Sequence, residues 1–291
     1  MSSAATRPNS DPVCRLGLGT VQFGQAYGVS NIAGQVPLDE VRAMLTRAAE
    51  EGVAVLDTAA NYGQAEEVLA QCDTRPFRIV SKTVSVKNGV AAVTARARQS
   101  CQSLGRVDVM LVHAVADLLG PDGDELWRAL RNLKEHGAVG AIGISAYVAD
   151  DPAALARRFR PDVMQIPFSL LDQRLLQDGS LARLKDLGVE VHARSLFLQG
   201  LLFMETVPDK LRDAAPRLSC VRQHIAAAHA TPLAAALGFV LSRPEVDVAV
   251  VGATSRHELD EIFGAARAPL PELDWGTCAL DNARILTPSL W

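Results

Sequence analysis

Eight short apolar runs recur along this chain, each followed by a longer segment of helical character. The runs are Arg15–Gly19, Val53–Asp57, Phe77–Lys82, Val107–His113, Ala141–Ser145, Val163–Ile166, Val189–Ser195 and Val246–Val251. Between them lie amphipathic stretches such as "PLDEVRAMLTRAAEEG" and "DELWRALRNLKEHG", several closing on Gly as helix C-termini do. Near-continuous apolar strands alternating with helices belong to a parallel sheet covered by helices. Eight such units in 291 residues fit an α/β fold of the (β/α)8 TIM-barrel type better than an open sheet. An open doubly wound sheet advertises a Gly-rich turn after its first strand. The glycines of "GLGTVQFG" stand at a different spacing from the dinucleotide fingerprint.

No linker or low-complexity segment interrupts the pattern, so residues 13–291 are expected to form one barrel domain. The preceding residues 1–12, "MSSAATRPNSDP", are polar and lack the apolar core of a signal peptide, and read as a disordered tail. Hydrophobic residues at 48% and charged residues at 21% suit a soluble protein with a large core, and no apolar run is long enough to span a bilayer. A net charge of −4 with scattered Lys and Arg gives no footprint for nucleic acid. The five cysteines, Cys14, Cys72, Cys101, Cys220 and Cys278, include no CxxC. Neither a zinc cluster nor a disulfide framework is suggested, and reduced thiols in the cytoplasm are expected.

Chemistry in a (β/α)8 barrel sits at the C-terminal ends of the strands and in the loops that follow. The polar residues there are Thr20, Asp57, Lys82, His113, Ser145, Gln165 and the pair Arg194-Ser195. A carboxylate closing an apolar strand is costly unless paired. Asp57 can pair with Lys82, and Lys82 can lie against Tyr62 in the loop after Asp57. A cation beside a phenol favours the phenolate and makes the phenol a better proton donor. His113 can orient a carbonyl oxygen or share the proton transfer. Phe23, Tyr27, Tyr147 and Phe168 fall in loops on the same rim, where lining a pocket and packing a loop are both open. His192 reads as a core histidine and Trp127 as a core tryptophan.

With these residues in this order, the chain resembles the aldo-keto reductase superfamily from "LGLGTVQFG" to "VVGATSRHELDEI". The resemblance rests on Asp57 and Tyr62 in "DTAANYG", Lys82 in "IVSKT" and His113 in "DVMLVHA", supported by "GAIGIS", "QIPFSLLDQR" and "ARSLFLQGLL". It implies oxidoreduction between a nicotinamide dinucleotide and a carbonyl substrate (aldehyde, ketone or sugar), without a metal. It makes Tyr62 the general acid, Lys82 and Asp57 its tuning pair, and His113 the residue that polarises the substrate oxygen. It assigns Gly19, Thr20, Asp57, Ser145 and Gln165 to the nicotinamide end, and Ser195, Leu196 and Gln199 to the pyrophosphate. The stretch from Gly252 to Ile262, with Thr254, Ser255, Arg256 and Glu261, takes the adenosine end, where a helix N-terminus offers free N–H groups to phosphate. Arg256, the only cation in that stretch, would grip a 2′-phosphate, which points to NADP, with NAD the alternative. The resemblance also leads a C-terminal extension, which carries Trp275 and Trp291, to be expected over the catalytic face; for a tryptophan there, closing the pocket and packing in the core are both open.

The sequence departs from the family pattern at four places. Ala146 replaces an Asn, and Arg194 stands where an aromatic ring commonly stacks on the nicotinamide; its guanidinium can stack or form a salt bridge. Glu258 and Ile262 stand at usual basic and Asn positions. A slow-turnover cofactor sensor on the same barrel is the alternative function, though the intact set of four argues for catalysis. A metal-dependent hydrolase, the third reading, needs several His and carboxylate ligands at strand ends, often a His-x-His after strand one, where this chain has "GLGTVQ" and six histidines in all.

Overall fold

In a computed structural model of the chain, which describes residues 11–28, 31 and 33–291, eight parallel strands close into a barrel in sequence order. They are β1 (Leu16–Gly19), β2 (Val55–Asp57), β3 (Arg78–Lys82), β4 (Val109–Val112), β5 (Ala141–Ser145), β6 (Val163–Pro167), β7 (Glu190–Arg194) and β8 (Val248–Gly252). β1 pairs with both β2 and β8, which closes the ring. The eight expected strands are all present, but most ladders are shorter than the apolar runs. Val53, Val107, Val189 and Val246 head their runs and are at most 4% exposed, yet they enter the core ahead of the ladder and do not pair in it. An apolar run reports burial, and hydrogen-bonded pairing covers only part of it.

Of the expected tail, residues 1–10 lie outside the described residues. Asp11 and Pro12 belong to a tight 3-10 turn, Pro12–Arg15, in which the Asp11 carboxylate accepts from the Val13 N–H at 3.0 Å.

Side-chain alternation along the strands divides the core. Leu18, Leu56, Ile79, Met110, Ile144 and Met164 belong to the large cluster shared with the helices. Val55, Val80, Val109, Leu111, Val163, Val248 and Val250 form a separate cluster that fills the barrel. Each such buried side chain contributes about 1.5–3 kcal/mol relative to exposure. Residues two positions further along share the inward direction: Asp57 follows Val55, Lys82 follows Val80, His113 follows Leu111 and Gln165 follows Val163. The apolar filling thus ends in a polar layer at the C-terminal rim. Toward the other end, Arg78 and the fully buried His192 hold one oxygen of Glu190, at 2.5 and 2.8 Å. Burial alone would raise the Glu190 pKa, but His192 and Arg78 overcome it and hold the group at about 2.

The C-terminal extension, expected over the catalytic face, is fastened to the loop that follows β6 on that face. Cys278, Leu280 and Leu286 are buried. The Leu280 N–H donates to Leu171 O at 2.9 Å, and Gln173 donates to Trp275 O at 2.6 Å. Trp275 packs on Phe239, and Trp291 donates to Ile285 O. These anchors hold the segment beside the loop after β6, and none of its residues lines the cavity described below. Among the described residues, no single helix is long and apolar enough to cross a membrane.

Candidate active site

Asp57 ends β2 with both carboxylate oxygens engaged. Oδ2 accepts from Lys82 Nζ at 2.6 Å and Oδ1 from Gln165 Nε2 at 2.6 Å. Lys82, 1% exposed, also donates to Thr58 O at 2.9 Å and to the Tyr62 hydroxyl at 3.3 Å. Burial disfavours the Lys82 ammonium, but Asp57 and Tyr62 outweigh it and raise its pKa. The cation thus persists inside the barrel, in contact with a phenol.

Tyr62 is held by a close backbone approach that only glycine allows. Gln64 N donates to Gly24 O at 3.2 Å. A Cβ on Gly24 would fall 1.8 Å from Tyr62 O, and one on Gly63, whose φ is +53°, would fall 2.3 Å from Gly24 O. The following helix, Ala65–Leu69, is fastened by Glu66, which is buried. Its carboxylate accepts from Ser81 at 2.7 Å, Arg96 at 2.6 Å and Ser100 at 2.9 Å, tying the Tyr62 loop to β3 and to the helix Val90–Ser103.

His113 follows β4, its ring edge-on to Tyr62 with centroids 5.9 Å apart. Burial, then the charge of Lys82, with Arg194 adding to it, lower its pKa to about 4. The imidazole is therefore neutral near pH 7, with one N–H to donate.

These groups open into a cavity of about 840 Å³. Of the expected residues, Gly19, Thr20, Asp57, Tyr62, Lys82, His113, Ser145, Gln165, Ser195, Leu196, Gln199, Gly252, Thr254 and Glu261 all line it. Ser255 and Arg256 do not. Ser255 is the N-cap of the helix Arg256–Ala266, its hydroxyl accepting from Glu258 N at 3.2 Å. The Arg256 side chain, 58% exposed, lies 3.9 Å from Asp260. Two further amides of this helix start are engaged within the protein. Thr254 N donates to Glu258 Oε2 and Arg256 N to Glu40 Oε1, each at 2.6 Å. Of the rim aromatics, Tyr27 and Tyr147 line the cavity, whereas Phe23 and Phe168 are fully buried. Gln22 and Asn61 also line it and were not marked by the sequence, in which a glutamine or asparagine in a loop carries no signal of its own.

Two buried acceptors in the lining, Gln165 Oε1 and Gln22 Oε1, have no hydrogen-bond partner among the described residues. Such atoms are costly unless a ligand meets them. Gln165 Oε1 beside Ser145 suits an amide donor, as a nicotinamide carboxamide provides.

The family model for the aldo/keto reductase family matches residues 15–280. The chain belongs to this family. An aldo-keto reductase of Mycolicibacterium smegmatis is 28% identical over 160 residues, which is 50% of this chain and 54% of that protein. The oxidoreductase YdhF of Escherichia coli is 33% identical over 109 residues, 37% of this chain and 36% of that one. The chain thus matches about half and about a third of the lengths of these relatives. Among solved structures, AKR11C1 of Bacillus halodurans in its holo form aligns with a TM-score of 0.70 at 20% identity, covering 88% of this chain and 87% of that one. PA4992 of Pseudomonas aeruginosa aligns with a TM-score of 0.65 at 23% identity, covering 91% and 95%. These two share the fold.

Within the aldo/keto reductase family, the four departures have definite settings in this structure. Ala146 is buried, leaving Ser145 and Gln165 as the polar pair at that rim. Arg194 stacks on Tyr147, 4.4 Å from the ring centroid, and makes long contacts to Ala146 O at 3.3 Å and Ser195 Oγ at 3.4 Å. It forms no salt bridge with a described carboxylate. Glu258 lines the cavity as an acidic group and Ile262 as an apolar one.

Proposed function

We propose that this protein reduces a carbonyl compound, an aldehyde, ketone or sugar, with a reduced nicotinamide dinucleotide bound in the barrel mouth. The contact of Lys82 with both Asp57 and the Tyr62 hydroxyl, at the floor of the cavity, carries this reading. A dinucleotide held there would supply hydride. Tyr62 gives its proton to the substrate oxygen as negative charge builds there. Lys82, fixed by Asp57 and Thr58 O, stabilises the phenolate left behind. Neutral His113 donates its N–H to the same oxygen and sets the carbonyl's direction. Gln165 and Ser145 would hold the carboxamide, and family membership supports the choice of cofactor class. A cytoplasmic setting, where thiols stay reduced, is part of this reading.

Titration of the purified chain with NADH and NADPH, followed by a carbonyl panel read at 340 nm with the dinucleotide that binds tighter, tests it. Saturable binding and carbonyl-dependent oxidation are expected. No binding of either dinucleotide would remove this function.

A further inference from the structure

The cavity that Tyr62 lines is lined also by Ser195 and Gln199 and, beyond β8, by Thr254, Glu258 and Glu261. That part is acidic. Two carboxylates line it and no described cation does, because Arg256 points away beside Asp260, an oxygen of which already accepts from Arg47 at 2.6 Å. Three amides around the helix start, which elsewhere makes a natural anion site, are taken from within the protein. Ser255 caps Glu258 N, Glu258 takes the Thr254 amide, and Glu40, reaching over from the helix Leu38–Glu50, takes the Arg256 amide.

We infer that this site selects the dinucleotide without a 2′-phosphate, NADH over NADPH, and that Glu258 is the residue that excludes the phosphate. The inference rests on the reading of the cavity as a dinucleotide site. A phosphate monoester carries roughly −1.5 to −2 charge at neutral pH. Placed here it meets like charge and, among the described residues, finds no cationic side chain on this part of the cavity wall to neutralise it. A ribose hydroxyl in the same place is a hydrogen-bond donor, and carboxylates accept from it.

Equilibrium titration of the full chain with NADH and with NADPH, followed by fluorescence, separates the possibilities. NADH should bind about tenfold tighter or more, as expected for a charge left unpaired against carboxylates. Added salt should narrow the ratio by screening the repulsion. Glu258→Gln keeps an oxygen for the Thr254 amide and removes the charge. It should tighten NADPH roughly three- to tenfold, moving NADH less. Glu258→Arg should carry the ratio to parity or beyond. Circular dichroism melting reports whether each variant folds, and if Glu258→Arg does not, Glu258→Gln carries the test. NADPH binding as tightly as NADH in the native protein overturns the inference and leaves the dinucleotide site standing. An unchanged ratio in folded Glu258→Gln removes Glu258 from the role. Failure of both dinucleotides to bind overturns the reading of the cavity itself.

Discussion

Lys82 Nζ and Asp57 Oδ2 stand 2.6 Å apart, with side chains 1% and 6% exposed. A pair so buried is a poor way to gain stability, since desolvation offsets most of the attraction. In the proposed function its use is to keep a cation against Tyr62.

That distinction yields the first prediction. Lys82→Met leaves Asp57 buried with Gln165 as its remaining side-chain donor and should destabilise the fold by about 3–5 kcal/mol. Adding Asp57→Asn removes the orphaned charge and should recover most of the loss in urea or thermal unfolding. Neither variant should turn over substrate at more than about a hundredth of the native rate. A double variant with native turnover would reduce the pair to a structural feature.

The second prediction concerns His113. Burial and then Lys82 depress its pKa from 6.5 to about 4. Between those values the folded protein binds fewer protons than the unfolded chain. The contribution of His113 to stability is therefore complete above about pH 6.5 and is lost as pH falls through about 4. It amounts to about 3 kcal/mol in order of magnitude. His113→Asn should flatten this part of the stability curve, measured by urea midpoints across pH. The kcat/KM of the native protein should show no inflection near pH 6.5. An acid limb at 6.5 that disappears in His113→Asn would mean the imidazole titrates normally.

Gly24 supplies a third prediction, because it touches no reacting group. Gly24→Ala places a methyl 1.8 Å from Tyr62 O and 2.4 Å from Ala65 N, both backbone atoms, so the Tyr62 loop has to move. Stability should fall by about 1–3 kcal/mol. Turnover should fall about tenfold or more, since small misplacements of a proton donor are expensive. Dinucleotide affinity should change less than kcat. Equal losses in both would point to a general disturbance of the mouth.

The strand ends were legible in the sequence because the strand period is two. Once Val55, Val80 and Leu111 are read as filling, Asp57, Lys82 and His113 follow on the same face. The support of Tyr62 was not legible. The Gly24–Gly63 approach and the Glu66–Ser81–Arg96–Ser100 network join elements far apart in sequence, and no local pattern marks them. The helix start after β8 misled for the same reason. "GATSRHE" has the form of an anion site, but whether its amides are free depends on Glu40, 216 positions away. For the C-terminal tryptophans the sequence left a pocket role and a core role open, and the contacts of that segment with Leu171 and Gln173 hold it beside the loop after β6, with neither tryptophan on the cavity wall.

The last prediction tests the tyrosine directly. Tyr62→Phe keeps the ring, half-buried 4.8 Å from Lys82 Nζ, and removes only the hydroxyl. The lost contact is the longest of the three Lys82 makes, at 3.3 Å, and the ammonium keeps Asp57 and Thr58 O. Stability and dinucleotide affinity should accordingly shift by less than about 1 kcal/mol. Turnover should fall by about two to four orders of magnitude, the share of a positioned general acid. Lys82→Met on top of Tyr62→Phe should lower the rate little further, because the two act as one unit. Single-turnover rates for the native protein, both single variants and the double variant give the comparison. Multiplicative losses would mean Lys82 acts on the substrate independently of the phenol. Native turnover in Tyr62→Phe would pass the proton-donor role to another group, His113 being the one whose ring already faces Tyr62.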